Sequence, residues 1–442
     1  MEQGSGSYAI GKPQGGQGFE YSADARKVIA AVWLMVLLVV AVPSVGTSVI
    51  NAKMITDLDM DRAMFGAGFG VFVLMMGFQG PVVALLIRKF GYRATVTFGC
   101  LVFLIGSVAM ATVVETGWQY ALAFGFMVGS GVCIAGMLPA QTVVARWFRI
   151  RRALAVSIVL SAVEVGGFFS PPALEKFLAM TGDNWRAGWW LISALAVLAL
   201  LVARRALDEK RIERQIEENP SSHPTLERGK VFKSTTHWTL KEALSCRAYW
   251  FILVYMSIAG VAWVFVMAHG VVHLQDVGYT SAQAAAALAI TVAVSFIGNM
   301  GAGFLGDRVS PALIAAGGMA LIALGFHMIV SPQGMAGILM YALPVGIGYG
   351  ASQVCLMALV GNYFGKESFS VILGSMMPVS TLCAAIGAGS AGAVFDGTGT
   401  YEWVFVTVMA LCVVAFLAIL AASPPKIRRS NEEAAAEPVA AE

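Results

Sequence analysis

Twelve apolar runs constrain this chain more than any other feature, because about 20 consecutive apolar residues is the length a helix needs to cross a ~30 Å hydrocarbon layer. They fall at about 28–50, 65–87, 94–114, 118–145, 153–178, 185–204, 248–271, 281–305, 311–330, 334–359, 368–395 and 402–422. Backbone polar groups in lipid must be satisfied within the chain, so each run reads as a helix. The expected fold class is an all-α membrane protein with twelve transmembrane helices in two six-helix bundles. Composition agrees: 58% of the 442 residues are hydrophobic and 12% are charged, against roughly 25% charged in an average soluble domain. An ordinary soluble enzyme is excluded. A net charge of +3, with the basic residues at span ends instead of in one patch, gives no nucleic-acid partner.

The domain division follows from the polar intervals. Residues 1–27 are a Gly-rich tail without the apolar core of a signal peptide. Residues 28–204 form the first six-helix bundle, 205–247 a linker, 248–422 the second bundle and 423–442 a tail expected to be disordered. The linker carries Glu209-Lys210-Arg211, Glu217-Glu218 and the turn-prone Asn219-Pro220-Ser221-Ser222. Basic loops stay on the cytoplasmic side. With both termini inside, the outer loops hold only Lys53, Arg62, Lys176 and Arg186, four of 29 basic residues, leaving 25 inside. The opposite orientation would place Arg146, Arg149, Arg151 and Arg152 outside as a cluster. The expected location is therefore a cell inner (plasma) membrane, multi-pass, with both termini cytoplasmic.

Six cysteines show no pairing with Cys or His suited to a metal, and all but Cys246 lie in apolar runs. No G-x-x-x-x-G-K-[ST] phosphate loop occurs. No metal, cofactor or catalytic residue is expected, no nucleophile–base set can be assembled, and ion or substrate gradients remain as the energy source.

An ionisable group in hydrocarbon costs roughly 2.5–3.5 kcal/mol on insertion scales, so each one calls for a partner or a function. No Lys or Arg lies deep in any span, and Glu164, about eleven residues into span 5, is the one acid near a span centre. Glu164 is the candidate proton-coupling group; the alternative is a protonated acid bonded to a neighbouring helix. His269, towards the outer end of span 7, can change charge near neutral pH, or else is an interfacial histidine bonded to backbone. Trp263, in mid-span 7, either lines a cavity or packs against span 11 or 12. Tyr349 and Gln353 on span 10, and Ser295 and Asn299 on span 8, are i, i+4 pairs sharing one helix face. Each pair could bond a substrate or another helix. Gln79 and Gln141 belong to the same class. Candidate substrate contacts are thus His269, Tyr349, Gln353, Asn299, Ser295 and Trp263.

Two six-span halves suggest internal duplication, a common plan for carriers with a midplane site. After span 8 stands Gly303-Phe304-Leu305-Gly306-Asp307-Arg308. This stretch resembles the G-x-x-x-D-R loop signature of the major facilitator superfamily, and six plus six spans around a central loop fit that family along nearly the whole chain. The resemblance implies that Gly303, Asp307 and Arg308 form a charge latch between the halves, favouring the outward-open state. The copy after span 2 has Ala84 and Arg88 where the Gly and Asp belong, and retains Gly91 and Arg93, which the resemblance places with the latch residues. The segment Trp147-Phe148-Arg149-Ile150-Arg151-Arg152-Ala153-Leu154-Ala155, followed by Ser161, Gly166, Gly167 and Pro171-Pro172, looks like the corresponding region of the monocarboxylate porter and oxalate:formate antiporter group. That likeness implies transport of organic anions, often monocarboxylates, by proton symport or exchange. Span 1 lacks the group's acidic-Gly opening and span 8 lacks the Arg that commonly meets the substrate carboxylate.

The expected function is secondary active transport of an organic anion, a monocarboxylate with an aromatic or hydrophobic body, coupled to protons and carried out by a monomer in a lipid bilayer. The alternatives are a proton-driven exporter of hydrophobic or cationic compounds on the same fold, and a non-transporting membrane sensor.

Overall fold

The computed structural model describes residues 23–58, 62–148, 152–206, 214, 231–234, 237–330 and 334–425. The expectations for the 1–22 and 426–442 parts of the tails, and for most of the linker, lie outside the described residues.

The first membrane helix, α1, runs over Ala23–Val36, widens into π-turns at Leu37–Gly46 and resumes over Thr47–Asp57. The wide stretch contains Pro43, whose ring removes a backbone donor and crowds the preceding turn. Thr47 supplies one replacement bond, its hydroxyl donating to the Pro43 carbonyl at 2.6 Å. Helix α2 comprises Arg62–Phe78 and Gly80–Phe90, bent by 48° at Gln79, with Pro81 in the first turn beyond the bend, where its missing N–H costs nothing. The first half continues with α3 (Tyr92–Thr112), α4 (Gly117–Trp147), α5 (Arg152–Met180) and α6 (Trp185–Ala206). After a one-turn helix at Leu240–Leu244 come α7 (Arg247–Asp276), α8 (Ser281–Leu305) and α9 (Pro311–Ile329).

Gly334–Thr398 forms 65 residues of helix, roughly 98 Å at 1.5 Å per residue and three times what a bilayer holds. It is broken at Gly365 (φ 77°, ψ 171°), a backbone region essentially restricted to glycine. The break divides it into α10 (334–364) and α11 (366–398). Gly91, between α2 and α3, takes nearly the same conformation (φ 82°, ψ 172°). Helix α12 is Glu402–Ala421. Among the described residues ten helices are long and apolar enough to cross a membrane singly, and the bent α2 makes an eleventh. The break at Gly365 brings the segments to the twelve expected.

The boundaries depart from expectation where charges anchor the ends. Helix α1 begins at Ala23, not 28, and Lys27 there bonds Asp24 at 3.0 Å. At its far end Lys53 pairs with Asp183 and Asp57 accepts from the Trp185 indole at 2.6 Å. Each half is held by its own aromatic cluster. In the first, Phe72, Tyr120 and Phe124 stack at 4.9–5.2 Å beneath Trp189. In the second, Phe265, Phe326 and Phe405 pack together at 5.2–6.0 Å.

Candidate functional site

The halves meet along two seams, α5 against α8 and α2 against α11. In the second seam Gly80 and Gly374 bring their backbones together, so that a methyl on either would come within 2.7 Å of the other's carbonyl. In the first, Gly303 on α8 faces Ser157 on α5 so closely that any side chain at 303 would collide with it.

One turn beyond Gly303 the chain reaches Asp307. Its carboxylate crosses the seam to accept the backbone N–H groups of Ala153 (3.1 Å) and Leu154 (3.3 Å). These belong to the first turn of α5, where helical N–H groups lack intrahelical acceptors and the macrodipole favours an anion. Asp307 therefore caps a helix of the other half. Beside it the buried Arg152 donates to the Asn362 side chain of α10 at 2.9 Å and to the Ala145 carbonyl at 3.3 Å. The Asn362 carbonyl in turn accepts the Ser234 N–H at 2.7 Å, joining the end of the linker to the same closed contact. Arg308 is exposed. Arg93 binds the Arg204 carbonyl, linking α3 to α6 inside the first half, and Gly91 ends α2. Neither crosses the seam.

Further along α5, Glu164 accepts from Asn299 Nδ2 of α8 at 3.2 Å. The Glu164 Oε2 and the Asn299 Oδ1 are both buried, and neither has a hydrogen-bond partner among the described residues. Tyr349 lies close enough for its phenol to interact with the Glu164 charge, and the Gln353 amide approaches that phenol. Trp263 lies flat on Tyr349, with ring centroids 3.8 Å apart and planes 6° from parallel. The ring partner of Trp263 is thus on α10. Of the residues named from sequence, Glu164 and Asn299 are bonded across the seam and Trp263 and Tyr349 are stacked between α7 and α10, with Tyr349 within electrostatic range of Glu164 and Gln353 beside its phenol.

The other two stand apart. His269 bonds the Tyr401 hydroxyl at 3.2 Å and stacks on Phe265 at the end of α7. Ser295 is buried, its hydroxyl donating to the Val292 carbonyl of its own helix where α8 packs on α10. Gln79 donates to Ser130 at 2.6 Å within the first half, and Gln141 is buried in α4.

Phe168 escaped the sequence analysis. Ser157, Glu164 and Phe168 share one face of α5 by their spacing of seven and four. Ser157 and Glu164 meet α8, yet Phe168 is 63% exposed. The contacts between α5 and α8 run from Asp307 to Glu164, and Phe168 lies beyond them, towards the Lys53 end. The i, i+4 step from Glu164 to Phe168 was the available signal. The Arg152–Asn362 bond had none, since it joins positions 210 residues apart. A separate apolar pocket of about 420 Å³, lined by Phe326, His327, Phe405 and Met409 among others, contains none of these residues.

A helical bundle split into two halves that meet along two seams, with a buried acid in mid-span at their junction, is the architecture of a membrane carrier. The chain matches the family model of the Major Facilitator Superfamily over residues 32–388 and belongs to that family; it is a multi-pass membrane transporter. It is 26% identical over 349 residues to monocarboxylate transporter 13 of Rattus norvegicus, covering 78% of this chain and 76% of the relative. To monocarboxylate transporter 13 of Bos taurus it is 24% identical over 405 residues, covering 90% and 88%. Its fold resembles that of the E. coli fucose:proton symporter FucP (TM-score 0.67, 14% identity, 90% of this chain and 98% of that one). It also resembles the proton:xylose symporter XylE (TM-score 0.68, 14% identity, 90% and 95%).

Proposed function

We propose that this transporter moves a monocarboxylate with an aromatic or hydrophobic body by alternating access, together with a proton. The observation that carries the proposal is the position of Glu164, a buried carboxyl in mid-span at the junction of the halves, bonded across it to Asn299. A group so placed changes its surroundings whenever the halves rock, which is what coupling requires. Relatives named as monocarboxylate transporters support the substrate class. In this scheme Glu164 holds the proton, Trp263 offers an aromatic face to the substrate body, and Tyr349, Gln353 and Asn299 bond its carboxylate.

The Asp307 end is cytoplasmic in this proposal, because Arg88, Lys89, Arg146, Arg152, Arg204, Arg205 and Arg308 gather at helix ends on that side. Both termini then lie in the cytoplasm of a cell whose inner membrane holds the protein as a monomer. The bundles are 28–204 and 248–422, joined by the 205–247 linker. Closure around Asp307, Gly303 and Arg308 is the latch of the outward-facing state. Gly91 and Arg93, placed inside one half, brace that half.

The test is uptake into proteoliposomes of labelled acids, from lactate and oxalate to aromatic monocarboxylates, with and without an inward proton gradient. Gradient-stimulated accumulation of a monocarboxylate, strongest for aromatic members, is the expected result. No acid moving in either condition would overturn the proposal.

A further inference from the structure

A carboxylic acid and a primary amide can pair in a closed ring, the amide N–H donating to one acid oxygen and the acid O–H donating to the amide oxygen. Half of that ring is present between α5 and α8: Asn299 Nδ2 donates to Glu164 Oε1 at 3.2 Å. The two atoms that would make the other half, Glu164 Oε2 and Asn299 Oδ1, are the ones left buried without partners. Both are acceptors while Glu164 is ionised, and a buried acceptor without a donor is costly. One proton would satisfy both. We propose that Asn299 reads the protonation of Glu164: a proton on Glu164 completes a cyclic acid–amide pair that ties the two halves together, and an arriving substrate carboxylate releases it.

The inference rests on the proton-coupled reading of Glu164 and adds what the proton does. It enters from water at the open end, settles on Oε2, and leaves to water at the other end after the halves rock; no other bond is made or broken. With the proton but no substrate, two hydrogen bonds hold α5 to α8 and the protein stays closed at the Asp307 end. A substrate carboxylate is a stronger acceptor for the Glu164 O–H than an amide oxygen, because the bond to it is charge-assisted. It takes that hydrogen bond, frees Asn299 and unties the seam. Protons then cross only with substrate.

The surroundings of Glu164 leave it few other electrostatic partners. On α10 the Tyr349 phenol interacts with it, and α8 contributes no ionisable residue between Ser281 and Leu305. Asp307, Arg152, Arg146, Lys366 and Glu367 lie at the closed end, Arg152 roughly 18 Å away along the helix. Glu175 and Lys176 on α5 lie roughly 16 Å the other way, with Lys53, Asp57 and Arg186 at the open end, while Asp24, Arg26, Lys27, Arg204 and Arg205 lie at the closed-end tips of α1 and α6.

The test is a pH-difference infrared spectrum of the full-length protein in lipid. A protonated-carboxyl band that is absent in Glu164→Gln should appear together with a shift of an asparagine amide band, identified by 13C-asparagine labelling and lost in Asn299→Leu. Proteoliposomes report the consequence, with 4-hydroxybenzoate as the substrate probe. Wild type should pass protons only when the acid is present, whereas Asn299→Leu should pass them several-fold above protein-free vesicles without it, and Glu164→Gln not at all. A carboxyl band that appears with no asparagine response overturns the inference and leaves proton coupling intact, and so does an Asn299→Leu variant that stays tight to protons while transporting. Absence of any Glu164-dependent band, with no acid-driven proton flux in wild type, overturns the proton-coupled reading itself.

Discussion

At Glu164 the cost of holding an ionisable side chain in hydrocarbon, roughly 2.5–3.5 kcal/mol, is offset in part by the hydrogen bond from Asn299. Glutamine keeps the shape and the bond but cannot carry a proton. Glu164→Gln is therefore expected to abolish proton-driven accumulation while substrate exchange across the membrane continues, as measured by counterflow in proteoliposomes. Trp263 makes a different kind of contribution. Its ring covers Tyr349 face to face, and an aromatic contact is worth about 0.5–1.5 kcal/mol beyond the area it buries. Trp263→Ala should raise the KM of an aromatic acid by roughly twofold to tenfold while changing that of lactate less, a split that a general loss of folding would not produce.

Elements meet in this protein through short, specific contacts. Asp307 caps α5 from the other half, and losing a cap costs about 1 kcal/mol. Asp307→Ala should lower the thermal midpoint in detergent and increase labelling of a cysteine placed at the closed end, because the arrangement it supports becomes less populated. At Gly365 any side chain would have to adopt a glycine-only conformation, at about 1–3 kcal/mol. Gly365→Ala should therefore lower the thermal midpoint further than Asp307→Ala does. The helices themselves were legible as apolar runs, and Glu164 stood out because it is the lone acid near the centre of one. The bend at Gln79 and the wide turns around Pro43 were not, since a helix and a distorted helix share one hydrophobic pattern. Nor was the partner of Asp307, because spacing along one helix says which residues share a face and nothing about which helix faces it. Asn299 and Tyr349 were found as i, i+4 pairs, yet that both approach Glu164 depends on how α8 and α10 pack.

For the whole molecule, the seam closed at the Asp307 end, with Phe168 exposed beyond Glu164, fits the outward-facing state proposed above. With the Asp307 end cytoplasmic, Cys246, just before α7 and partly exposed, faces the cell interior. A membrane-impermeant maleimide should label it in inside-out vesicles and not in right-side-out ones. Burial, and secondarily the nearby Glu242 carboxylate, push this thiol above its usual range. Because the thiolate is the reacting form, labelling should be slow at neutral pH, accelerate as pH rises past the ordinary thiol range, and run faster at a given pH in Glu242→Gln. The central claim is that substrate and proton cross together through the junction at Glu164. It is tested most directly by imposing only a substrate gradient on proteoliposomes and recording internal pH. The account predicts that inward movement of a monocarboxylate acidifies the lumen faster than in protein-free vesicles, and that the Glu164→Gln protein adds nothing to that background. Equal acidification by wild type and Glu164→Gln, or labelled acid entering with no protein-dependent change in internal pH, would contradict it.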